Sequence, residues 1–250
     1  MTQFSPSCHG NKAALYLRSG IFFVAMTCLT IVIAPFMVLT YPLPFKVRYG
    51  LAQVWVTWVL WLLKAICGLD HRVEGSENIP AENAIIFSKH QSAWETIALQ
   101  KIFPQQVFII KRELLWLPFF GWALATLEPI AIDRESAKAA LRQVVEQGIE
   151  RLERGLWIVI FPEGTRVKPG TVGRYGAGGS VLAHRAGVPV VPVAHNAGLF
   201  WPRNGFLKVP GTIRVRIGKP ISPAKLSASE INQSAQAWIE AQMQEISAGC

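Results

Sequence analysis

From Ser19 to Phe45 the sequence carries no charged residue. Its central part, Ile21 to Tyr41, has about the 20 apolar residues that a helix needs to cross a bilayer. Lys12 and Arg18 precede the stretch, and Lys46 and Arg48 follow it. A secretory signal is the competing reading, but the run is long and no small-residue cleavage site closes it. Pro35 is expected to kink such a helix, and Pro42 and Pro44 to end it. A second uncharged run, Tyr49 to Leu63, is short for a span and carries Trp55, Trp58 and Trp61 at intervals of three. Tryptophan favours the headgroup boundary, so this run reads either as an interfacial or re-entrant helix or as a core helix packed on the rest of the chain. Positive charge flanks both runs, so charge bias does not choose between crossing and folding back.

Composition extends the same argument. Charged residues make up 16% of the chain, against about a quarter in ordinary soluble domains. The formal net charge is +9, which attracts anionic surfaces, either nucleic acid or lipid. The sequence has no RNP or zinc-finger pattern, so an anionic membrane surface is the expected partner and nucleic acid is not. Cys8, Cys28, Cys67 and Cys250 lack the spacing of a zinc site, and no disulfide framework is expected.

Beyond about Asp70 the periodicity alternates. Ala84–Ser88, Val107–Ile110, Pro129–Ile132, Leu156–Phe161, Val188–Ala194 and Thr212–Ile217 read as strands, several as the unbroken apolar runs of strands buried on both faces. Within Ser136–Arg154, Leu141, Val144, Val145, Ile149 and Leu152 fall on one helical stripe, and Gly148 in that stripe permits close packing on the sheet. Ser229–Ile246 reads as a closing helix. The implied fold class is α/β, with a mixed, largely parallel sheet flanked by helices, behind an N-terminal apolar membrane-anchoring helical segment. The expected division is residues 1–69 for the anchoring helices and 70–250 for the α/β domain.

Four stretches carry polar residues suited to chemistry. In Ser88-Lys-His-Gln-Ser-Ala-Trp-Glu95, His90 suits proton transfer near neutral pH, and a carboxylate on one ring nitrogen would leave the other free as a base. Five residues apart, His90 and Glu95 meet only if His90 lies in a loop and Glu95 in the first turn of the next helix. Ser92-Ala-Trp-Glu95 also matches a capping box, in which Glu95 reaches back to a backbone N–H. The second stretch, Lys111 to Gly121, offers Lys111 and Arg112 to a phosphate and Leu114 to Phe120 to an acyl groove or a bilayer. The third, Phe161-Pro-Glu-Gly-Thr-Arg166, is a tight turn at a strand end, where α/β sheets place ligands. Arg166 can grip phosphate with its fork of donors, with Glu163, Gly164 and Thr165 beside it. The fourth, Val188 to Gly198, reads as a buried strand, with Pro192 pointing to an edge or a bend. His195 at its end lacks a nearby carboxylate in sequence, and His184 reads as structural. The sequence has no Walker phosphate loop, no dinucleotide GxGxxG, no GxSxG elbow and no HExxH, which leaves ATPase, dehydrogenase, serine hydrolase and zincin chemistry without support.

Taken together and in this order, the four stretches resemble the glycerolipid acyltransferase family, and within it the enzymes that acylate 1-acyl-glycerol-3-phosphate. The resemblance covers about residues 70 to 220 and is most specific at Phe161 to Arg166. The first block ends in Glu95 where the family has aspartate, an HX4E form of the pattern. A further family stretch reads Gly-x-x-Phe-Ile-Asp-Arg; here Glu128 and Ala131 replace the glycine and phenylalanine, and Ile132-Asp133-Arg134 survive, making Arg134 a substrate candidate.

The resemblance implies His90 and Glu95 as the catalytic pair, and Lys111, Glu163, Gly164, Thr165 and Arg166 around the phosphate. It also implies an acyl thioester of CoA or acyl-carrier protein as cosubstrate, no cofactor or metal, lysophosphatidate as acceptor and phosphatidate as product. It places the protein at a membrane, the bacterial inner membrane with the catalytic domain on the cytoplasmic face. A different acceptor, such as a lyso-ornithine lipid, and a non-catalytic lipid-binding module are the alternatives.

Overall fold

The computed structural model describes residues 11–133 and 136–248. Asn11 caps the first helix, α1 (Lys12–Leu39), its side chain accepting from Ala13 N at 3.0 Å. The helix continues through Pro35 and stops before Pro42 and Pro44. The second helix, α2 (Phe45–Cys67), packs against α1 and is closed by Gly68 in a left-handed conformation. Both are long and apolar enough to cross a membrane.

The tryptophans of α2 do not share a face. Trp55 Nε1 donates to Thr30 Oγ1 of α1 at 3.0 Å, whereas Trp58 and Trp61 are about half exposed. A step of three falls about 60° short of a full turn, so the rings spread around the helix. Val56, Val59 and Leu63 are buried in one core with the sheet residues Ile86 and Val193. Thus α2 is a core helix on one side and bare on the other. That core is continuous across residue 70, which lies within the first strand.

The remaining order is β1 (Leu69–Glu74), β2 (Ile85–Ser88), α3 (Trp94–Ile102), β3 (Gln106–Lys111), α4 (Phe120–Ala125), β4 (Ile130–Ile132), α5 (Ala137–Glu153), β5 (Trp157–Ile160), α6 (Gly178–Ala186), β6 (Val190–His195), α7 (Ala197–Phe200), β7 (Gly211–Ile217) and α8 (Ala228–Ala248). Among the described residues the sheet has seven strands, in the order β1-β7-β6-β2-β5-β3-β4. The run from β6 to β4 is parallel; β7 joins β6 antiparallel and carries β1 parallel to itself. The sheet is therefore mixed and largely parallel. β1, whose sequence mixes charged and apolar residues, is the strand that periodicity missed.

Alternate residues of the central strands face opposite layers. Ile86 and Val159 join α1, α2 and α3, while Ile85, Phe87, Ile158 and Ile160 join α5, α6 and α8. Gly148 lets α5 approach α6 closely: a Cβ there would lie 2.5 Å from Leu182 Cδ2. Because the parallel strands share one direction, the segments that continue from β2, β3, β5 and β6 gather at one edge of the sheet.

Candidate active site

His90 lies two residues beyond β2, and Glu95 in the first turn of α3. His90 Nδ1 is 2.9 Å from Glu95 Oε1. A carboxylate oxygen only accepts, so Nδ1 carries the hydrogen and the lone pair of Nε2 is free. The same Oε1 accepts from Gln91 N and Ser92 N, each at 2.8 Å. Glu95 therefore makes the return contact of a capping box and orients the histidine with one atom. The other half of the box is shifted, since Ser92 Oγ accepts from Trp94 N at 3.1 Å. Glu95 is fully buried. Burial alone would push its carboxyl up; the facing His195 and the hydrogen bonds from His90 and Ser92 outweigh this and hold it below the usual carboxylate range. The His90 ring stacks on Phe161, with centroids 4.0 Å apart and planes 15° apart.

His195 is buried on the other side of Glu95, its Nε2 4.0 Å from Oε2. Its Nδ1 accepts from Ala197 N at 3.3 Å, so Nε2 carries the hydrogen and donates to Lys89 O at 2.8 Å. Burial holds its pKa below the ordinary histidine value, opposed by Glu95. With both nitrogens committed, His195 braces the segment before His90. His184 Nδ1 meets Leu226 O at 3.1 Å, away from this site.

The Phe161–Arg166 turn departs from expectation at one residue. Gly164, Thr165 and Arg166 line a cavity together with His90 and Lys111, but Glu163 turns inward. Its Oε1 accepts from Lys89 Nζ at 2.7 Å and its Oε2 from His90 N at 3.0 Å. A carboxylate would repel a phosphate, and here both of its oxygens are already engaged, so Glu163 supports the histidine segment instead. Lys89, 1% exposed, also donates to Glu240 Oε1 of α8 at 2.8 Å and to Thr171 O at 3.2 Å. Tyr175 donates to Glu240 at 3.1 Å, and its hydroxyl pKa is pushed up by burial and then by the two carboxylates. Sequence reading missed this cluster. Its only signals were a lysine beside the histidine and a glutamate on a predicted helix, and neither names its partner. Gly164 has φ +65°, the left-handed region that suits glycine at this corner.

The cavity has a volume of about 900 Å³ and is mainly apolar. His90, Lys111, Thr165 and Arg166 line it, and so do Ile33 and Met37 of α1 and Ala52 of α2. Among the described residues Lys111 and Arg166 make no ion pair, and Arg166 Nε is buried without a hydrogen-bond partner. Arg134 lies outside the described residues, as do Cys8 and Cys250; Cys28 and Cys67 are free thiols. Glu128, which stands where the resembling family has glycine, has φ +50°. Such a backbone is strained for a residue with a Cβ. Glu128 is held there by ion pairs to Arg48 of α2 and to Arg154, the latter at 2.6 Å.

A family model described as acyltransferase matches residues 70–196, from β1 to the end of β6. A 1-acyl-sn-glycerol-3-phosphate acyltransferase of Pseudomonas aeruginosa is 48% identical over 209 residues, covering 82% of this chain and 81% of its own. The enzyme of the same description from Saccharomyces cerevisiae is 33% identical over 183 residues, 70% of this chain and 59% of its own. The crystal structure of the 1-acyl-sn-glycerophosphate (LPA) acyltransferase PlsC from Thermotoga maritima superposes with a TM-score of 0.80 at 26% identity, covering 95% of this chain and 98% of that one. By the matched model, by identity to these relatives and by fold, the chain belongs to the acyltransferase family.

Proposed function

We propose that the chain transfers a fatty acyl group from an acyl thioester to the free sn-2 hydroxyl of 1-acyl-glycerol-3-phosphate, forming phosphatidate. The observation that carries this reading is the His90–Glu95 pair at 2.9 Å, its Nε2 left free at an apolar cavity also lined by Lys111 and Arg166, which make no ion pair among the described residues. Nε2 takes the hydroxyl proton as the oxygen bonds to the thioester carbonyl carbon. The carbon–sulfur bond then breaks, and the thiolate recovers the proton from the imidazolium. Glu95 orients the ring and stabilises its charged form. Lys111, Thr165 and Arg166 hold the acceptor's phosphate, and the apolar wall takes an acyl chain. Glu163 serves at one remove, through the His90 backbone. The donor thioester belongs to CoA or to acyl-carrier protein.

An acceptor without a phosphate would leave Lys111 and Arg166 unneutralised, so lysophosphatidate is favoured over a lyso-ornithine lipid. The bare faces of α1 and α2, including Phe36, Leu39, Trp58 and Trp61, suit a bilayer. We place the catalytic edge at an anionic cytoplasmic leaflet of the inner membrane, where both substrates partition. The test is an acceptor panel on membranes carrying the wild-type protein or His90→Ala. Lysophosphatidate should give product with the wild type, and the variant should retain fold and membrane association while losing transfer. Turnover of another lysolipid but not lysophosphatidate would overturn the acceptor, and undiminished transfer by His90→Ala would overturn the base.

A further inference from the structure

A third cation stands at the same cavity, outside every stretch that the sequence singled out. Arg203 comes after α7, on the segment that continues from β6, and is exposed. Arg203 and Asn204 line the cavity with His90, Lys111 and Arg166. One guanidinium nitrogen of Arg203, Nη1, donates to the main-chain oxygen of Arg166 at 2.7 Å. The next residue, Val167, donates from its N to His90 O at 2.8 Å. Two hydrogen bonds therefore tie the Arg203 loop, the Arg166 turn and the His90 segment together. The strand order β6-β2-β5-β3 explains the meeting, because it sets side by side the segments bearing Arg203, His90, Arg166 and Lys111.

The charges are uncompensated. Arg48, Lys64, Lys89, Arg151, Arg154, Arg214 and Arg216 have carboxylate partners, whereas other described cations such as Arg112, Arg174 and Arg185 have none but do not line this cavity. Among the described residues Lys111, Arg166 and Arg203 have none, although they share one cavity. Like charges brought together without a counterion oppose folding, and an arriving anion relieves that repulsion. A guanidinium bound through one N–H to a carbonyl keeps most of its donors for an anion, and its plane is already oriented.

We propose that Arg203 is a second arm of the acceptor's phosphate site, closing on the phosphomonoester from the side opposite Lys111 while Arg166 holds it from the turn. This rests on the acyltransferase reading and extends it to a residue outside the family's blocks. Arg203 has two roles in the proposal. One N–H fixes the Arg166 turn, and the remaining N–H groups bind the dianion.

The test uses the full chain in neutral detergent micelles, with Arg203→Ala, Arg203→Lys and, as a control for general surface charge, Arg185→Ala on α6. Initial rates are measured against lysophosphatidate at saturating acyl thioester, and against acyl thioester at saturating lysophosphatidate. Arg203→Ala should raise the acceptor KM by roughly 10- to 100-fold, the size of one lost charge-assisted contact, with kcat changed little and donor KM unchanged. Arg203→Lys should recover part of the loss, since it keeps the charge without the fork. Arg185→Ala should behave as wild type. Glycerol 3-phosphate should compete with the acceptor in the wild type and less well in Arg203→Ala.

An unchanged acceptor KM in a folded Arg203→Ala would overturn the proposal. So would a rise in donor KM instead, which would put Arg203 on the phosphates of the thioester carrier. A fall in kcat with KM intact would leave only a prop for the turn, and would also overturn it. Wild-type turnover of lysophosphatidate tests the acyltransferase reading by itself. Should the wild type prove inactive, equilibrium binding of lysophosphatidate, read by tryptophan fluorescence, still decides the matter: binding weakened at least tenfold in Arg203→Ala supports the phosphate arm, and equal binding refutes it.

Discussion

Replacing Glu95 by glutamine should slow acyl transfer by about 10- to 100-fold without unfolding the protein. Three donors converge on Glu95 Oε1: His90 Nδ1 at 2.9 Å, and Gln91 N and Ser92 N at 2.8 Å. Two of them are main-chain N–H groups that cannot turn away, so an amide at this position must put its oxygen there. The oxygen still faces Nδ1, and the histidine keeps its tautomer. What disappears is the negative charge. Hydrogen bonds to charged groups contribute about 1.5–3 kcal/mol and neutral ones about 0.5–1.5. Losing the charge beside an imidazolium in a buried site therefore raises the barrier by about 1.4–2.7 kcal/mol, which is roughly 10- to 100-fold in rate. The amide nitrogen falls where Oε2 now has no hydrogen-bond partner, facing an N–H of His195 that is already donated to Lys89. A buried unpaired donor costs about 1–3 kcal/mol, a drop of several degrees in melting temperature at this size. Steady-state kcat at saturating substrates and thermal unfolding of the same preparation measure both effects. Unchanged kcat with a lowered melting temperature would leave Glu95 a helix cap alone. A loss of ~10⁴-fold, as when an orienting carboxylate becomes an amide and the tautomer is wrong, would refute the pinning of the oxygen by the backbone.

Lys89→Met should be far more disruptive than its position beside His90 suggests. It strands the carboxylates of Glu163 and Glu240 without their shared cation, at a cost of about 3–5 kcal/mol, visible as a large fall in melting temperature. His195 makes stability depend on pH. Its folded pKa lies below the unfolded value of about 6.5, so the unfolded chain gains a proton first and stability falls as pH drops below that value; His195→Gln should flatten the curve of melting temperature between about pH 7 and 5. Ala52→Phe, on the cavity wall contributed by α2, should shift competition between acyl donors toward shorter chains while leaving the acceptor KM unchanged, and an unaltered donor profile would place the acyl chain elsewhere.

Much of the sheet was legible because parallel strands buried on both faces leave unbroken runs such as Trp157–Ile160 and Val190–Val193. β1 was not, because Asp70, Arg72 and Glu74 interrupt its apolar residues and its partner β7 lies far away in sequence. The uncharged run of α2 stopped at Leu63, but the helix continues through Lys64, whose charge lies at the surface paired with Asp70 at 2.7 Å. At the site, spacing alone could bring His90 to Glu95, because a loop-to-helix step is local. It could not find Lys89 paired with Glu240, 151 residues away, or Arg203 on the oxygen of Arg166. Those contacts depend on strand order, which local periodicity does not encode. For the same reason Glu163 read as a ligand of phosphate: the Gly164 and Thr165 that follow it are exposed, whereas its neighbour in space is a buried ammonium.

Ile33, Met37 and Ala52 belong to the two helices that suit a bilayer, and they also line the cavity that holds His90. The same two helices thus wall the chamber with buried side chains and present Phe36, Leu39, Trp58 and Trp61, the face proposed to meet the bilayer, on the outside. Deleting residues 1–69 would remove part of the chamber wall and also strip Val56, Val59 and Leu63 from the core they share with Ile86 and Val193, and a transplanted anchor of equal hydropathy would restore neither. On the proposed membrane reading, lipid composition becomes a parameter of catalysis: a change in bilayer thickness that tilts α1 against α2 also reshapes the cavity that Ile33, Met37 and Ala52 line.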